Sequence, residues 1–178
     1  MEEIGRLLHN YLASAMSLVD HARRHTKKLY CNDRFFKFFE ECDQEIDKRF
    51  DNSANHQLAQ GLRNYTQHRT LPVVVSVISW SRDEGLNRTF KVASESLLEW
   101  KKWKPLARKK LRQLKDGLPI RQFAEEYYAE VESFYQWLWT KQAEIHKQDI
   151  DRLNEIKRRA RLAFEEAGLG DIINQDQP

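Results

Sequence analysis

Arg63, Asn64 and His68, within the run Gly61-Leu62-Arg63-Asn64-Tyr65-Thr66-Gln67-His68-Arg69-Thr70-Leu71-Pro72, put a permanent cation, an amide and a titratable imidazole close together. Phosphate chemistry uses these groups. An imidazole, with an ordinary pKa of about 6.5, can take or give a proton at neutral pH. A guanidinium stays charged and binds phosphate oxygens in bidentate fashion, so it can stabilise charge developing on phosphorus. Asn64 would orient the phosphate or fix the His68 tautomer, and Tyr65, where accessible, could stack or donate a hydrogen bond.

Helical geometry restricts that chemistry. At about 100° per residue Asn64 and His68 share a face, whereas Arg63 lies roughly 140° around from His68. A regular helix therefore cannot aim all three at one point. Either the helix frays ahead of Pro72, which disfavours helical geometry at Leu71, or a second copy of the chain completes the site. Asn10, Asp20 and His21, polar residues beside the apolar stripe of the first helix, are candidates to support the motif from behind, together with Tyr65. A purely structural alternative pairs Arg63 with an acid on a neighbouring helix, leaves Asn64 solvated and sets His68 against the helix C-terminal dipole.

The elements that must position these groups are mostly helical. Apolar residues from Ile4 to Ala22 recur at spacings of three and four, which predicts an amphipathic helix over 2–29. Asn32 or Asp33 can cap a second helix that presents Phe35, Phe36, Phe38, Phe39, Cys42, Ile46 and Phe50 and runs to about Asp51. A third helix from about Ala54 carries Leu58, Leu62 and Tyr65 and ends near His68 to Thr70, with the motif at its C-terminus. Beyond Pro72 the β-branched run Val73 to Trp80, a turn at Arg82-Asp83-Glu84-Gly85 and the alternating stretch Leu86 to Ala93 predict an inserted β-hairpin at about 73–93.

Ser96 and Glu99 have the spacing of a capping box that would open a helix to about Lys115, kinked or split by Pro105. Asp116-Gly117-Leu118-Pro119 is a stop followed by a start. From Ile120 a seam of near-heptad spacing continues to Gly168. Unbroken, it would hold about 47 residues and span roughly 70 Å. A break between Lys141 and Asp151, where the composition turns polar, and a continuous helix are both open. The expected fold is mainly α: a helical bundle with the inserted hairpin and a long C-terminal helix. Its division is a domain over 1–140 and a helical extension over 141–178.

With 178 residues the chain suits one domain plus an extension, and its net charge of +3 rules out a general polycation. Any nucleic-acid affinity must be local. Five Trp, six Tyr and nine Phe argue against disorder. Cys31 and Cys42 match no zinc-ligand spacing, so no metal or other cofactor is expected. With no long apolar run, a cytoplasmic protein without membrane contact is the simplest expectation.

Arg63-Asn64-x-x-x-His68 at the end of a helix resembles the signature of the HEPN superfamily (higher eukaryotes and prokaryotes nucleotide-binding domains), an Arg with a polar follower and a His after four to six residues. The resemblance implies a dimeric helical bundle whose two motifs face each other and, in active members, cleave RNA without metal. Arg63 and His68 would be the catalytic pair, with Asn64 beside them. Many such proteins belong to toxin, defence or stress systems, which implies an RNA substrate and an antitoxin-like protein partner. Other members are binding scaffolds. Arg49 and His56 also satisfy the spacing, but only Arg63 has the polar follower and the helix-end setting.

A second candidate surface is Glu99 to Lys115, where Lys101, Lys102, Lys104, Arg108, Lys109, Lys110, Arg112 and Lys115 stand against one Glu, with Trp100 and Trp103 interleaved. Such a segment can follow an RNA backbone and stack on bases, or it can be a solvated face over two core indoles. Lys157-Arg158-Arg159-Ala160-Arg161 carries the same pair of readings. The broad aromatic seam Tyr127 to Trp139 suits a partner as well as the chain's own core. Two functions follow: a HEPN-like homodimeric endoribonuclease, or a non-catalytic helical module that binds a protein or its own second copy.

Overall fold

Glu2–Tyr30 forms the first helix, α1, with acids in its first turn and lysines in its last, the arrangement the helix dipole favours. In the computed structural model, which describes residues 2–32, 34–82 and 85–168, the chain is mainly α with a small antiparallel sheet. Contacts divide it into two compact units, residues 1–134 and 135–178.

In the first unit, α1 is followed by α2 (Phe36–Ile46), a π-helical turn at Asp47–Asp51 and α3 (Ala54–His68). The second helix begins later than expected: Asn32 Oδ1 accepts from the Phe35 N–H, but the capping position is Phe35 itself. Asp33 lies outside the described residues. Ser53 caps α3 by accepting from the His56 N–H at 3.2 Å. Leu12, Val19, Ile46, Phe50, Leu58 and Leu62 from these helices form the core with Phe123 and Tyr127. Both cysteines are free, and burial pushes the Cys42 thiol up to about 12.

The hairpin forms as predicted, from β1 (Val74–Ser81) and β2 (Gly85–Val92), registered with Val74 opposite Val92 and Trp80 opposite Leu86. Its turn residues Asp83 and Glu84 lie outside the described residues. The base is buried through Val74 and Val92, whereas Ile78, Trp80 and Leu86 are exposed.

The capping box does not form. The chain leaves the sheet at Ala93, whose N–H bonds the Val73 carbonyl, and α4 (Ser94–Leu98) starts at once. Ser96 bonds back to the Ala93 carbonyl, and Glu99 becomes the C-cap. The Trp103 indole N–H donates to the Leu97 carbonyl at 2.6 Å, closing the short helix. Pro105 splits the predicted helix by taking the first position of α5 (Pro105–Gln113).

Gly117 adopts φ +91, and a side chain there would put its Cβ 2.7 Å from the Val92 carbonyl oxygen. That close approach lets Leu118–Pro119 pair with β2 as β3, a strand absent from the sequence reading. Helix α6 (Ile120–Ile145) then buries Phe123, Tyr127, Val131 and Phe134 at spacings of four, four and three. In the second unit α6 ends at Ile145, His146 makes the break, and α7 (Lys147–Glu166) follows, inside the window where composition turned polar. Along α7, Ile150, Leu153, Ile156, Leu162 and Phe164 are exposed. Among the described residues no helix is long and apolar enough to cross a membrane.

Candidate functional site

Helix α3 is fixed at its beginning by a polar cluster. Glu130 on α6 accepts from Ser53 at 2.7 Å and from Asn55 at 2.6 Å, while Lys110 on α5 bonds Asn55 and pairs with Glu126 at 3.1 Å. One turn on, His56 is buried with Nδ1 2.9 Å from the Tyr127 hydroxyl, which in turn contacts Met16 Sδ at 3.4 Å. Burial lowers the His56 pKa to about 4. Arg49 bonds Glu45 and Ser133. The second Arg–His pair that satisfied the motif spacing therefore belongs to the scaffold.

The far end of α3 is different in kind. The helix stays regular through His68, and only at Arg69 does the backbone leave it, with φ −132 and ψ −78. Fraying therefore does not bring His68 round to Arg63, and the separation of roughly 140° stands. Asn64 is half-buried and His68 exposed. Arg63 is half-buried, and its Nε is enclosed without a hydrogen-bond partner. Among the described residues no acid pairs with Arg63, so the structural alternative loses its ion pair. The side chains of Asn64 and His68 likewise bond no described residue. Tyr65 is buried and edges the Trp100 ring at 5.7 Å.

The polar candidates on α1 divide by position. His9, rather than a residue singled out from the sequence, touches the motif helix: its Nδ1 lies 2.8 Å from the Thr66 hydroxyl. Thr66 spends its proton on the Arg63 carbonyl, also at 2.8 Å, so His9 Nδ1 is the donor of that pair. Asn10 follows His9 and is exposed. Asp20 and His21 stand roughly 16 Å further along α1, and the Asp20 charge acts on His56 and Tyr127 instead. A lone His flanking a leucine stripe gave no signal for the His9 contact.

The basic segment lies against α3. Gly61 lets the Trp103 ring approach so closely that an added Cβ would sit 2.3 Å from it, and Gln57 accepts from the Leu106 N–H at 3.1 Å. Gly61 and Gln57 lie on the side of α3 that carries Asn64 and His68, since all four fall within about 60° around the axis. Lys101, Lys102, Lys104, Arg108, Lys109, Arg112 and Lys115 are exposed, and among the described residues none is in an ion pair. Trp103 is buried and Trp100 half-buried, so the indoles serve first as core. Lys110 is tied to Asn55 and Glu126 and drops out of the free cations.

Beyond the motif, a groove of about 350 Å³ runs past Glu2, Gly5, Thr70, Leu71 and Pro72. Among the described residues no group of three His, Cys, Asp or Glu side chains could hold a metal ion. No family model matches the chain, and neither a curated protein nor a solved structure is significantly similar to it.

Proposed function

We propose that the chain is a HEPN-like homodimer that cleaves RNA through Arg63 and His68 supplied to one site by two copies. The observation that carries this reading is the Arg63 guanidinium, half-buried with an enclosed Nε and no acidic partner among the described residues. A guanidinium without a counterion can take an anion from outside the chain through the terminal nitrogens that are not enclosed. The exposed cations of 101–115, on the Asn64 and His68 side of α3, offer the electrostatic footprint of a polyanion.

In the reaction, His68 takes the proton of a ribose 2′-hydroxyl, the 2′-oxygen attacks the adjacent phosphorus, and the bond to the 5′-oxygen breaks. The products are a 2′,3′-cyclic phosphate and a 5′-hydroxyl, the latter protonated by the imidazolium that His68 has become or by water. Arg63 holds the non-bridging oxygens as their charge grows, and Asn64 orients the phosphate. A protein that neutralises the activity, as in a toxin pair, fits the same reading. The test is incubation of purified protein, Arg63→Ala and His68→Ala with total RNA in EDTA. Cleavage by the parent and its loss in both variants support the proposal; cleavage that persists in both variants, or none by the parent, rejects it.

The second reading, a binding module without catalysis, is favoured by one feature: the exposed apolar side chains of the hairpin, with Trp80 at 72% and Leu86 at 74% exposure. Intact RNA together with loss of a protein partner on Trp80→Ser would select it.

A further inference from the structure

Regular helix geometry denies His68 a same-chain partner in Arg63, yet the chain places a different guanidinium on that side. Arg69 leaves the helix immediately after His68, folds back over the Tyr65 ring at 5.8 Å and reaches Glu99 at 3.2 Å. Tyr65 and His68 are neighbours on α3, three residues apart. Trp100, which edges both Tyr65 and Trp103, anchors the chain beside Glu99.

Glu99 is the sole acid between Ser96 and Lys115, within a segment of eight cations. It reaches Arg69 from the C-cap of α4. Arg69 is held by a carboxylate, whereas among the described residues none of the exposed cations of 101–115 is. The pair is open to water, with Arg69 43% and Glu99 69% exposed, so it is held loosely. A phosphate, with two acceptor oxygens at the spacing of a guanidinium fork, can replace it.

We propose that Arg69 and Glu99 form an anion-exchange site in which a backbone phosphate of single-stranded RNA displaces the Glu99 carboxylate from Arg69. The site seats the chain of the substrate beside His68, with Glu99 holding the place while it is absent. This rests on the reading of the α3 face as an RNA contact. Arg69 is a positioning residue for that contact, and Glu99 weakens non-productive binding to the basic segment.

The experiment uses full-length protein with His68→Ala, which silences cleavage, and a labelled single-stranded oligoribonucleotide of mixed sequence, titrated by fluorescence anisotropy in EDTA over a salt series. Glu99→Gln is expected to tighten binding about threefold at low salt. Arg69→Ala is expected to weaken it about fivefold and to flatten the slope of log affinity against log salt by about 0.7, the loss of one single-strand phosphate contact. Arg69→Lys recovers the slope, and Glu99→Gln gains less once Arg69 is gone. Unchanged thermal melting separates these effects from misfolding. RNA binding that is indifferent to both substitutions, or an equal gain from Glu99→Gln with and without Arg69, overturns the exchange site and leaves the RNA reading standing. Absence of RNA binding in every form overturns both.

Discussion

Two histidines follow an arginine at the same kind of spacing and end in opposite surroundings. His56 is buried against Tyr127 with its pKa depressed to about 4, and His68 is exposed at the end of α3. The native state thus resists protonating His56, whereas the unfolded chain takes that proton at about 6.5. Between those values the unfolded state binds more protons, so stability is full above about 6.5 and falls as pH drops toward 4. Urea unfolding should show a loss of up to about 3 kcal/mol attributable to His56 over that window, and a His56→Gln variant should lose less across it. Arg63 predicts the opposite relation between stability and activity. Its enclosed Nε lacks a partner, a cost that Arg63→Met removes at similar length, so the variant should be about 1 kcal/mol more stable in urea while cleavage disappears. The sequence separates the two pairs through the polar residue after Arg63 and the helix end after His68, both local signals. The burial of His56 depends on Tyr127, seventy-one residues away, and has no local trace.

At the level of elements, long amphipathic runs were legible and short connections were not. α1 and the hairpin follow from periodicity over many residues, whereas the near-heptad seam runs on past His146 and only the polar composition of 141–151 admits the break before α7. The misread box at Ser96 and Glu99 shows what local spacing omits: the sheet ends at Ala93 and the Trp103 indole closes α4, so a tertiary hydrogen bond decides the boundary. β3 has two residues and exists through the conformation of Gly117, too little chain for a propensity signal. The contact of Gly61 with Trp103 gives a prediction of sign. Alanine would favour the helix by about 1 kcal/mol, but its Cβ would meet a buried ring at 2.3 Å that is pinned through its indole N–H. Overpacking should win, with Gly61→Ala net destabilising by about 1–2 kcal/mol in chemical denaturation. The variant should also weaken RNA binding, because the basic segment is seated by this contact.

For the molecule as a whole, the angular gap between Arg63 and His68 makes the number of copies part of the chemistry. Arg63→Ala and His68→Ala protein, each inactive alone, should regain about a quarter of parental cleavage when unfolded and refolded together, because half of the dimers are mixed and each mixed dimer has one complete site. No recovery on mixing, with a dimer confirmed by light scattering, would rule out a site shared in this way. The anchoring of α3 has a mechanical consequence. Glu130, Asn55 and Lys110 clamp its first turn, while the side chains of Asn64 and His68 at the other end are tied to no described residue. The body of that far end is held, by His9 on the Thr66 hydroxyl and by buried Tyr65 against Trp100, so the helix is a beam supported near both ends from which the Asn64 and His68 side chains overhang. Amide hydrogen exchange should run from slow near Leu58 to fast at Gln67 and His68, and Glu130→Ala should quicken exchange most in the first turns of α3.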